Sequence, residues 1–109
     1  MVTLGSIFEL LKDERRRYVL YYLYEQQGPV RIDELVEKIE EWEDGPERDG
    51  PDDRYERIAV DLKHTHLPKS AEVEFIQYHP DEGTVQIQGT PPKFDVLVTI
   101  ARLIEEPDE

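Results

Sequence analysis

The segment "VDLKHTHLPK", Val60 to Lys69, sets His64 and His66 one residue apart, and imidazoles that close can ligate a metal, move a proton or cap a helix. A structural zinc takes four N or S donors, and a catalytic one takes three plus water. The chain has no cysteine and its remaining histidine is His79, so a site would have to be completed from carboxylates, and no motif encodes one. On a regular helix, side chains two residues apart diverge by about 200° and cannot share an ion. The helical reading turns His64 outward, beside Arg57 and Asp61. It turns His66 inward at the helix end, where its ring can cap carbonyls and pack beside Leu67. No metal and no cofactor is expected. There is also no glycine-rich phosphate loop and no nucleophile set beside a base, and Ser6 and Ser70 suit helix starts. The chain is not expected to be an enzyme.

The cations carry a different chemistry. Acids number 26 against 13 bases, a net charge of −13, yet the bases are unevenly spread. Between Asp33 and Asp53 only Lys38 and Arg48 interrupt the acids. From Arg54 to Lys69 the balance reverses, with Arg54, Arg57, Lys63 and Lys69 against Glu56 and Asp61. A second basic knot is Arg15, Arg16 and Arg17. Such islands either pair with neighbouring acids or meet phosphate, and both readings stand at this level. The overall acidity admits disorder, cation binding or nucleic-acid mimicry, or a cell that holds molar salt. Trp42, the tyrosines and the apolar periodicity argue against disorder, and the scarcity of Lys beside Arg leans towards the salt-filled cell.

These residues need elements to hold them. At 109 residues the chain supports one domain with one core. Ile7, Phe8, Leu10 and Leu11 form a short apolar turn. Asp13 then caps a helix reaching Gln26, with Gly28 and Pro29 ending it. Tyr18, Tyr21, Tyr22 and Tyr24 cluster on that helix and read as core rather than as base-stacking platforms. Val30 and Ile32 suit a short strand, and Asp33 caps a second helix burying Leu35, Val36, Ile39 and Trp42. An acidic, glycine- and proline-rich loop follows. A third helix from Arg54 to His66 has a buried stripe of Tyr55, Ile58, Ala59 and Leu62, opposite Arg54, Arg57, Asp61 and His64. Pro68 either stops it or starts a further turn. Ile76 and Tyr78 face Val85 and Ile87 across "PDEG" as a hairpin. The last helix, Phe94 to Ile104, is apolar on nearly every side, which predicts either a buried helix or one that packs on a second copy.

The fold class is therefore α+β. Three helices and a hairpin predict a winged helix-turn-helix domain over residues 6–90, with an additional C-terminal helix over 92–106 for dimerisation through Phe94, Leu97, Val98, Ala101 and Ile104. No segment is long and apolar enough to span a bilayer, and no signal peptide is evident, so a cytoplasmic place is expected.

The segments "LKDERRRYVLYYLYEQQGPVRIDELVEKIEEWE", "DRYERIAVDLKHTHLPK" and "FIQYHPDEGTVQI" together resemble an uncharacterised family of haloarchaeal winged-helix domains, over roughly Leu10 to Ile87. Members carry "ERRRYVLYYL", "ELAEEIAAWE" and "HLPKL" at matching places. The resemblance implies a halophilic source and a role in transcription, and it brings no catalytic residues. Ser70 departs where the family has an apolar residue, and Glu74 where it has a small one.

Two functions follow as expectations. The first is a DNA-binding regulator that reads the major groove as a homodimer, with Arg54, Arg57, Asp61 and His64 on the reading face and Lys63, Lys69 and Arg15 to Arg17 on phosphate. The second is a winged helix used for protein–protein contact alone.

Overall fold

The computed structural model describes residues 3–43 and 51–105. The chain opens with a helix where the sequence predicts only a turn. Helix α1 (Leu4–Leu11) is held by a reciprocal cap, the Ser6 amide donating to the Thr3 hydroxyl and the Thr3 amide to Ser6 Oγ, both at 3.1 Å. Ser6 thus sits inside the first turn, and Ile7 and Leu10 point into the core.

Asp13 caps α2 (Glu14–Gln26) as expected, its Oδ1 accepting from the Arg16 amide at 3.1 Å. The helix ends at Gln27, whose φ of 59° lies in the left-handed region and whose amide bonds the Leu23 carbonyl at 3.0 Å. The stop therefore comes one residue before Gly28. Every residue from Tyr18 to Leu23 is buried, because α1, α3, α6 and the sheet all pack on α2. An amphipathic stripe is absent from α2 for that reason: it is the central helix.

The tyrosines are core, as their spacing indicates. Trp42 meets Tyr18 and Tyr22 edge-on, at 6.0 and 6.1 Å between ring centroids. The hydroxyls escape to carboxylates: Tyr21 donates to Glu105 at 2.7 Å, Tyr24 to Asp95 at 3.0 Å, and Tyr22 to Glu34.

Strand β1 (Val30–Arg31) stops before Ile32, which begins α3 (Ile32–Glu43), so Asp33 stands in the first turn rather than before it. The Ile32 amide still donates to the Gly83 carbonyl at 2.9 Å, anchoring the helix start to the hairpin. Most of the expected acidic loop lies outside the described residues. Helix α4 (Pro51–Asp61) begins earlier than Arg54, at a residue type whose backbone suits a first helical turn.

Pro68 does not stop this helix. After Asp61 the backbone widens into a π-turn (Leu62–His66), where the Leu67 amide bonds the Leu62 carbonyl, and α5 (Leu67–Ser70) continues. In a regular α-helix the Pro68 ring would meet the carbonyl four residues back, that of His64. The wider turn accommodates the ring, and its extra residue lets both His66 and Leu67 face the core.

Strands β2 (Ile76–His79) and β3 (Thr84–Ile87) pair as read, Ile76 with Ile87 and Tyr78 with Val85. Gly83 closes the turn at φ 70°, its amide on the His79 carbonyl at 2.9 Å. Strand β1 joins β3 through Val30 and Val85, giving a three-stranded antiparallel sheet in the order β1-β3-β2. Helix α6 (Pro92–Glu105) seats Phe94 and Val98 in the same core, Phe94 touching Phe75 at 4.6 Å between centroids. The protein is α+β, helices around a small antiparallel sheet. No helix among the described residues is long and apolar enough to cross a membrane.

Candidate functional site

The Arg15–Arg16–Arg17 run is turned inward and sideways, and each guanidinium holds a different part of the fold. Arg16 is 5% exposed and bonds the Leu10 and Glu9 carbonyls at 2.9 and 2.7 Å. Arg17 bonds the Leu11 carbonyl at 2.8 Å. These are carbonyls that the last turn of α1 leaves without helical partners, so two arginines cap α1 from the helix that follows it. Arg17 also forks onto Glu105, Nε at 2.9 Å and Nη2 at 2.8 Å, tying down the last turn of α6. Its hydrogen bonds hold the Glu105 carboxyl below the ordinary carboxylate range against the opposing effect of burial, with Tyr21 assisting.

Arg15 forks onto Glu43 at the end of α3, at 2.6 and 2.8 Å, and its Nη1 reaches Asp61 of α4 at 3.1 Å. Asp61 in turn lies 2.9 Å from His66 Nε2, and Asp13 lies 3.6 Å from the same nitrogen. Burial alone would raise the Asp13 carboxyl, but the Arg16 amide and the neighbouring His66 and Arg16 charges hold it below its usual value. His66 therefore turns inward as its register predicts, but its partners are carboxylates, not carbonyls. The acids come from α4 and the cap of α2, which no local pattern brings together. Arg54 is likewise occupied, donating to the Glu40 carbonyl at 2.9 Å and so capping the end of α3.

Six of the nine predicted contact residues thus divide plainly: Arg15, Arg16, Arg17, Arg54 and Asp61 brace the helices, and Lys69 approaches Glu72 at 3.5 Å. Arg57, Lys63 and His64 stand exposed along α4 and the π-turn. The same side exposes Glu56 and Val60, neither of which was expected on the reading face, with Val60 53% exposed at the centre of the ridge. Its signal was available: Val60 lies two residues from Ile58 and so faces away from the buried stripe. Lys63 and His64 make no ion pair among the described residues.

The ridge is flanked by two grooves. On one side Lys63, Tyr55 and Ala59 face Arg31, Tyr78 and the hairpin turn at Pro80 and Gly83. On the other, Arg57, His64 and Thr65 face the outer edge of the Arg15–Asp61 pair. The hairpin tip next to the ridge carries Asp81 and Glu82. Among the described residues no three His, Asp or Glu gather as a metal ion would need. Phe94 and Val98, proposed from sequence for a dimer face, are buried in the chain's own core, and Leu97 and Ala101 pack against it. Ile104 alone of that set is exposed.

A family model, described as a domain of unknown function (DUF7344), matches residues 8–86, from α1 to β3. No curated protein and no solved structure matches the chain.

Proposed function

We propose that this chain, which belongs to the DUF7344 family of domains of unknown function, is a DNA-binding transcriptional regulator of winged helix-turn-helix build that reads the major groove with α4. The observation that carries the reading is the α4 ridge: Arg57, Val60, Lys63 and His64 exposed on one face, backed by buried Ile58 and Leu62 and followed by a hairpin. The order α2, α3, α4, β2, β3 suits that use, with the third helix in the groove and the hairpin beside it. Arg57 has the fork for a guanine edge, Val60 the apolar surface for a thymine methyl, and Lys63 the charge for a phosphate.

The acidity of the chain bears on how such binding would work. A net charge of −13 with few lysines fits a cytoplasm of molar salt, where screening shortens to about 3 Å and long-range attraction to phosphate is weak. With about four phosphate contacts, counterion release alone would lower affinity by several powers of ten between ordinary and molar salt. Short-range base contacts and shape must then supply most of the affinity. The internal engagement of Arg15 to Arg17 accords with this, since it removes three cations from the phosphate tally.

Two observations favour a second reading, protein contact without DNA. The acidic tip at Asp81 and Glu82 suits a phosphate backbone poorly, and Val60 would serve a protein partner as well. Selection from a random DNA pool in molar KCl separates the two. A regulator enriches a motif that the Arg57→Ala, His64→Ala double variant loses, while circular dichroism shows both proteins folded. A folded wild-type chain that enriches nothing overturns the DNA reading.

A further inference from the structure

Helix α6 is fastened along one flank only. Phe94 (0% exposed) and Val98 (2%) enter the core, Arg17 holds Glu105, and Arg102 lies over the Trp42 ring at 5.3 Å while pairing with Glu25 at 2.9 Å. The opposite flank presents Val96, Ile100, Leu103 and Ile104, with Leu103 68% and Ile104 78% exposed. Their spacing keeps them in one stripe along the helix. Within α6 the one exposed charged residue is Lys93, in the first turn, although charged residues make up 36% of the chain. Helix α1, which packs against α6, adds exposed Leu4 and Phe8.

We infer that this stripe is the seat of a second copy of the chain, with two α6 helices packed against each other across a twofold axis. The apolar side chains of the two faces would remove on the order of 1,200 Å² from water, at the lower edge of specific interfaces. Apart from Lys93 in the first turn, the stripe offers no charge by which a differently charged partner could be selected, and a second copy presents the same apolar surface to it, as an isologous contact requires. The net charge of −13 on each copy opposes the pairing in dilute salt, and molar salt screens that repulsion. Self-association therefore strengthens with KCl, the reverse of what salt does to phosphate contacts. The α6 stripe lies beyond residue 86, where the family match ends, and the inference stands whether or not α4 binds DNA.

Sedimentation equilibrium of the whole chain without DNA, from dilute to molar KCl, decides the matter. The expected result is a dimer whose association constant rises with KCl and falls by roughly 100-fold or more in the Ile100→Glu, Leu103→Glu double variant. Both positions face solvent in the single chain, so the variant keeps its circular dichroism and melting profile. Because the chain has no cysteine, Ile100→Cys gives a second readout: oxidation links two copies through that position, whereas Glu56→Cys on α4 does not. A wild-type chain that is monomeric at every KCl concentration overturns the inference and leaves the stripe to another partner. A dimer unmoved by the double variant and uncrosslinked at residue 100 overturns it as well.

Discussion

Arg15 to Arg17 and the ridge cations Arg57 and Lys63 carry the same kind of charge, yet the fold places them in opposite ways. The first cluster faces carbonyls and carboxylates at short range, with Arg15 and Arg17 side chains 29% and 23% exposed. The second faces solvent. The difference is set by what surrounds each helix. Helix α2 is packed on all sides, so any cation on it must find a partner within the protein or bear the cost of burial. Helix α4 has an open side, where Arg57 and, in the π-turn that follows, Lys63 stand exposed. A cation in this acidic protein is thus a clasp where its side chain turns onto packed elements, as in Arg15 to Arg17 and Arg54, and stays exposed where its helix faces solvent.

This contrast can be broken by experiment, first at the clasp. Arg15→Ala leaves Glu43 and Asp61 half-buried without their shared cation, and should cost about 3 kcal/mol in urea unfolding at fixed KCl. Arg15→Lys should recover only part, since an ammonium cannot fork onto Glu43. If Arg15→Ala unfolds at the wild-type midpoint, the clasp is ornamental and the run is again available to DNA.

The Arg17–Glu105 clasp can be released by acid. Glu105 and Asp13 are held below their ordinary values in the folded chain. A carboxyl so depressed lends stability above its unfolded-chain value and loses it as pH falls through the folded one. The melting temperature should therefore hold near neutrality and drop on acidification below about 4.5, the ordinary glutamate value. Glu105→Gln should melt lower at neutral pH and show a shallower decline in that acid window. A variant whose pH profile overlays that of the wild type would show that Glu105 contributes nothing there.

A smaller effect of opposite sign is expected at Ser70. Its hydroxyl is buried without a hydrogen-bond partner among the described residues, at the end of the helix that carries the ridge. Ser70→Ala should stabilise the chain by about 1 kcal/mol, read as a higher urea midpoint at unchanged slope. A loss of stability instead would mean that the hydroxyl is satisfied.

The smallest effect belongs to the ridge. Lys63→Ala and His64→Ala should leave stability within about 0.5 kcal/mol, as for exposed positions in general. A clear loss in either would place the ridge with the clasp and remove its claim to a partner.

Much of the fold was legible along the chain. The Asp13 cap, the buried stripe of Ile58 and Leu62, the Pro80–Gly83 turn and the alternation of Ile76, Tyr78, Val85 and Ile87 all follow from local spacing and backbone preference. So does the inward turn of His66 and the outward turn of His64. Pro68 was legible as the start of a further helical turn, which is α5. The π-turn that joins it to α4 without a break was not, because nothing in local propensity says when a helix will widen by one residue to admit a proline.

What the sequence by itself determined is thus the kind of most elements and, for α3, α4 and the hairpin, which side is apolar, because periods of 3.6 and 2 are properties of neighbouring residues. Only the tertiary structure decided where the charges went and which flank of α6 was left open. The partners of Arg15 and Arg17 lie 28, 46 and 88 residues away, and in a chain with 26 acids no spacing rule picks out Glu43, Asp61 and Glu105. Electrostatic pairing acts over a few ångströms of space, not of sequence, so its outcome waits on the packing that brings the elements together.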